Sequence, residues 1–154
     1  MKKLIYLLLI CLTILNCSKN DDSNNLQENP ILGEWKLLKI TSDGTYTPEL
    51  IDYSNKSIIY NFTPEKKIYN YLESGFKLII TGEENSAYPN GEYEYFFRED
   101  YLEPGPWGGN DQKVLLVSIN GSKYSYNLTN GVMTLGHSHI GDGGGPDFVF
   151  EKVN

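Results

Sequence analysis

The sequence predicts an all-β protein: an up-and-down antiparallel meander of about eight or nine short strands. Three observations carry this. Apolar and polar residues alternate over short runs, as in "GEYEYFFR", where Tyr93, Tyr95 and Phe97 oppose Glu92, Glu94 and Arg98. Asn-Gly dipeptides stand directly before candidate strands at residues 90–91, 120–121 and 130–131, and this pair favours the tight turns of hairpins. The 154 residues include 15 glycines and 12 tyrosines, which suit strands and turns, and no run of helical period and adequate length occurs.

After Pro30 the candidate strands follow in order. "GEWKLLKI" is strand-like, and its adjacent Leu37 and Leu38 predict a bulge or burial on both faces. Residues 48–53 have room for one helical turn. "SIIYNFT" puts Ile58, Tyr60 and Phe62 on one face; "TPEK" reads as a turn, and "KKIYNYL" as the next strand. "FKLIITG" turns Phe76, Leu78 and Ile80 inward. "KVLLVSI" is nearly all apolar and is expected to be the most buried strand. "SKYSYNLT" alternates through Tyr124, Tyr126 and Leu128, and "GVMTLGH" and "DFVFEKV" complete the set.

Short connections force successive strands to be antiparallel neighbours. A meander with one apolar face tends to close on itself, because closure removes exposed edges. A barrel is the expectation, and a two-sheet β-sandwich the alternative.

The N-terminus reads as an address. "MKK" is a basic start and "LIYLLLICLTIL" an apolar run too short to span a bilayer, which takes roughly 20 residues. The pair fits a secretory signal over residues 1–16. Cys17 closes the apolar run and precedes polar "SKNDDSNN". This resembles the lipobox of bacterial lipoproteins, in which the cysteine is acylated with chains such as palmitate and becomes the new N-terminus. Asn16 stands where a smaller residue is usual. Residues 17–29 are then an acylated, flexible polar tether, and 30–154 the folded domain. Cys11 leaves with the signal, so neither a disulfide nor a thiol nucleophile is expected. Ser18 after the cysteine resembles lipoproteins of the outer membrane. The expected location is therefore the outer membrane of a double-membrane bacterium, facing periplasm or cell surface.

"LGEWKL" resembles the G-x-W motif that opens lipocalins and the lipocalin-like domains of bacterial surface lipoproteins. The resemblance covers roughly residues 30–154 and implies a barrel whose closed end is plugged by Trp35, with Gly33 letting the chain pass close behind. The family commonly lays an arginine over that tryptophan; Lys152 is what this chain offers.

Sites are sparse. His137 and His139 would share a face of a strand, with Asp142 nearby, and two imidazoles with a carboxylate could hold a transition metal. The favoured reading is a glycine-rich loop with solvated histidines, without metal or other cofactor. Trp107, at the tip of "YLEPGPWGGNDQ", is either a flap or stacking platform at a barrel mouth or an aromatic tucked down for packing. Tyr93, Tyr95, Tyr124 and Tyr126 are candidate ligand contacts. No nucleophile elbow occurs. The net charge of −7 argues against nucleic-acid partners.

The sequence thus predicts a non-enzymatic, membrane-anchored lipocalin-like lipoprotein that binds a small apolar or aromatic ligand. The alternative is a module binding a protein or glycan through its loops; a small metal-dependent hydrolase ranks third. Cys17→Ser is expected to abolish incorporation of a clickable fatty acid, and equal labelling of both proteins rules the anchor out.

Overall fold

The computed structural model describes residues 29–42, 49–70, 73–101, 113–136 and 146–154. Cys17, Trp107, His137, His139 and Asp142 lie outside them. The strands are β1 (Gly33–Ser42), β2 (Glu49–Asp52), β3 (Ile58–Asn70), β4 (Glu73–Gly82), β5 (Gly91–Tyr101), β6 (Lys113–Ile119), β7 (Ser122–Thr129), β8 (Val132–Gly136) and β9 (Pro146–Lys152). All pair antiparallel in one sheet, and β1 closes it by pairing with β9 from Trp35↔Lys152 to Ser42↔Pro146. The result is a closed eight-stranded barrel with β2 as an extra strand. Closure of a single sheet excludes the sandwich.

The bulge at Leu38 shapes this closure. Against β9 the register slips between Leu37 and Lys39, so Leu37 and Ile40 both point inward although three positions separate them. At the same place β1 changes partner on its other edge. Gly33–Lys36 pair with β3, and Lys39–Ser42 pair with β2. The Leu38 carbonyl accepts from the Tyr53 amide at 2.7 Å, which ties the end of β2 to the bulge. Residues 49–52 are therefore a strand rather than the helical turn expected there, because β1 offers an edge that β3 has left.

The turn expected at "TPEK" is instead a bulge within β3. Pro64 has no amide hydrogen to give the ladder, and the β3–β4 register slips between Phe62 and Lys66. Thr63 maintains the cross-strand link by donating its hydroxyl to the Lys77 carbonyl at 2.9 Å. The expected hairpins do form: Asn120-Gly121 and Asn130-Gly131 all have positive φ, as type I′ turns require.

Among the described residues, large aromatic side chains pack the interior. Trp35, Tyr60, Phe62, Tyr95, Phe148 and Phe150 are all buried. Tyr60 meets Phe150 edge-on at 5.0 Å between ring centroids, and Phe62 meets Tyr95 at the same distance. β6 is less uniformly buried than its composition suggests. Val117 and Ile119 enter the core, Leu115 is 37% exposed, and Leu116 is buried but lies outside the core cluster.

One end is closed around Trp35 on the side of β1 and β9. It is buried, its indole N–H donates to the Ile31 carbonyl at 2.6 Å, and the Lys152 ammonium stands 5.1 Å from the ring centroid. Gly33 beside it has φ +109°, which a glycine adopts without strain. Trp35→Ala is expected to cost about 3–5 kcal/mol, as large aromatic truncations in cores do, out of a typical total of roughly 5–15 kcal/mol. Chemical denaturation measures this; a variant as stable as wild type means Trp35 is no plug.

Candidate functional site

Strand direction divides the barrel's connections between two ends. At the end of the β4–β5 connection, residues 83–90, the chain folds across the mouth. Asn85 organises the crossing: its side-chain carbonyl accepts from the amides of Ala87 (3.0 Å) and Tyr88 (2.9 Å), and its amide donates to the Tyr88 carbonyl at 2.7 Å. On one side the Tyr60 hydroxyl donates to Asn85 at 3.4 Å. The Tyr53 hydroxyl accepts from the Ser86 amide at 3.0 Å and donates to its hydroxyl at 3.1 Å. On the far side the Tyr88 and Tyr124 hydroxyls share a 2.6 Å hydrogen bond. Ala87 and Tyr88 rest on the core, and the Tyr88 ring lies 5.4 Å from Tyr93.

These tyrosines are held neutral. Burial raises Tyr60 far above its ordinary range, and neighbouring tyrosines add to the effect. Burial also raises Tyr88, reinforced by its bond to Tyr124, and raises Tyr95, whose hydroxyl donates to the Thr63 carbonyl at 3.0 Å.

The opposite end is the one that Trp35 closes on the side of β1 and β9, and it differs on the side of β5, β6 and β7. The inward faces of these strands run on from Tyr95, Val117 and Tyr124 to Phe97, Leu115 and Tyr126, and then to Tyr101 and Leu128. Phe97 and Tyr126 meet edge-on at 5.0 Å. Beyond them Leu115 (37%), Leu128 (41%) and Tyr101 (52%) are exposed, with the Lys113 ammonium 5.4 Å from the Tyr101 ring centroid. The Tyr126 hydroxyl is buried without a hydrogen-bond partner, and burial raises its pKa. It is a donor at a mouth lined by apolar side chains, with the exposed Glu99 between Phe97 and Tyr101 on β5, opposite Leu115.

The four candidate tyrosines therefore separate. Tyr95 and Tyr124 are core residues, and Tyr93 donates to the Pro89 carbonyl at 2.6 Å. Tyr126 alone of the four sits at the β5–β7 mouth. Asn85 and Tyr88, which close the other end, carry no motif; the composition of "EENSAYPN" marks a loop and nothing more. Among the described residues no three His, Cys, Asp or Glu side chains converge as a metal site.

Comparison of the chain with family models, curated proteins and solved structures finds no match. The fold is compatible with a lipocalin-like ligand-binding protein.

The buried tyrosines make stability fall in alkali. Their folded-state pKa values lie above the unfolded value of about 10, so above that pH the unfolded chain binds fewer protons than the folded one. Stability should hold through neutral pH and then decline by about 1.4 kcal/mol per pH unit for each of Tyr60 and Tyr95. Urea denaturation between neutral pH and pH values above the unfolded tyrosine value tests this; Tyr60→Phe should flatten the decline.

Proposed function

We propose that this chain is a lipid-anchored, non-enzymatic, lipocalin-like module that takes a small apolar or aromatic ligand at the β5–β7 mouth. The observation that carries the reading is the partnerless Tyr126 hydroxyl. A buried donor without an acceptor costs roughly 1–3 kcal/mol, so such groups call for a reason to be kept. A ligand carrying a carbonyl or ether oxygen would supply the acceptor, while Phe97, Leu115 and Leu128 would cover its apolar part. Because the rest of the interior is filled, the ligand enters only part-way and leaves an exposed portion. The lipobox-like Cys17 and the polar tether behind it support presentation of this mouth at a membrane surface.

The exposed leucines also suit a second reading, in which an apolar side chain of a partner protein occupies the mouth. Tyr126→Phe separates the cases. It removes the orphaned donor, so the free protein should gain about 1 kcal/mol or more. A neutral dialkylaminonaphthyl ketone dye should brighten on the wild-type protein. Its affinity should fall several-fold in Tyr126→Phe and about tenfold in Leu115→Asp, in line with one hydrogen bond and one apolar contact. Dye binding unchanged in both variants sinks the mouth as the ligand site; no dye binding at all favours the protein partner.

A further inference from the structure

The outer face of β5, β6 and β7 carries a second feature, independent of the mouth. Alternation turns Phe96, Arg98, Leu116 and Ser118 away from the barrel interior, and the registers Phe96↔Ser118 and Arg98↔Leu116 set them side by side. An outward leucine on a barrel is ordinarily wet. Leu116 is only 4% exposed, yet it is not part of the core cluster. Around it lies a groove of about 330 Å3, floored by Leu116 and the half-buried Phe96 and bounded at one end by the Asn120-Gly121 turn.

We propose that this groove is a binding site for a neutral saccharide, one or two rings of a glycan. Its size sits at the low end for small-molecule sites. Its charges are balanced and already engaged. Arg98 pairs with Asp100 at 3.4 Å and lies 6.0 Å from the Phe96 ring centroid. Glu94 accepts the Gly75 amide at 3.2 Å, and Lys123 has an interaction of its own. An anion meeting Arg98 and Lys123 also meets Glu94 and Asp100, and a cation meets the reverse, so neither gains net attraction. A pyranose fits both parts. Its C–H face covers the half-exposed Phe96 ring beside the buried Leu116, and its hydroxyls, each donor and acceptor, suit a rim of carboxylates, guanidinium, ammonium, Ser118 and Asn120.

Saturation-transfer and amide-shift NMR on the full chain test the site, with methyl glycosides of glucose, galactose, mannose and N-acetylglucosamine as probes. At least one should bind through its C–H face and shift the amides of Phe96, Leu116 and Ser118. Phe96→Ala should weaken it about tenfold, the effect of losing one stacked face. Arg98→Ala, at an exposed position where folding is not at stake, should weaken it several-fold. Leu115→Asp, in the inward mouth, should leave it unchanged, which keeps this result separate from the fate of the ligand mouth. No shift with any of the four glycosides overturns the proposal, as does binding that both Phe96→Ala and Arg98→Ala leave intact.

Discussion

The pairing of β1 with β9 is the constraint on which the rest of the structure depends. It converts a nine-strand meander into a closed surface with an inside, and it does so at a strand that must also serve two neighbours on its other edge. The bulge at Leu38 reconciles these demands. By adding one residue it keeps Trp35, Leu37 and Ile40 all inward while β1 passes from β3 to β2. Without it, Ile40 would face solvent, or the pairing with β9 would break half-way.

A filled interior changes what a barrel of this kind can do. With Tyr60, Phe62, Tyr95, Phe148 and Phe150 interlocked, little room is left in mid-barrel for a guest, and Tyr88 crosses one mouth. Exposed apolar surface is then found where strands outrun the core, at Leu115, Leu128 and Tyr101, and apolar burial without core membership at Leu116 on the outer wall. Both proposals rest on such departures from ideal packing. Tyr126 is a donor that folding leaves unsatisfied, and Leu116 is an apolar side chain dried without help from the core.

Much of the fold was legible in the sequence because local chemistry decides it. The Asn-Gly pairs at 120–121 and 130–131 take positive φ, adjacent Leu37 and Leu38 break the alternation and so mark a bulge, and alternation identifies Ile58, Tyr60, Phe62, Leu78 and Ile80. Two elements were not legible. β2 exists because β1, the strand just before it, has an edge that β3 leaves free, and residues 49–52 do not encode where β3 pairs. Pro64 signals a break in hydrogen bonding, and a break is as compatible with a bulge as with a turn. The site was harder still. Alternation treats Tyr93, Tyr95, Tyr124 and Tyr126 alike, and only the length of each strand relative to the core decides which one reaches the end. In "KVLLVSI" the unbroken apolar run conceals that Leu116 faces out.

Closure by the first and last strands also orders events in time. A chain emerging N-terminus first can form the β3–β4, β6–β7 and β7–β8 hairpins as it appears, since their partners are sequence neighbours. β1 must wait for β9, and so must the burial of Trp35 under Lys152. Contacts this distant in sequence are slow to form and raise the folding barrier. Until β9 pairs with β1, the sheet is an open ribbon with unpaired edges and exposed aromatic rings.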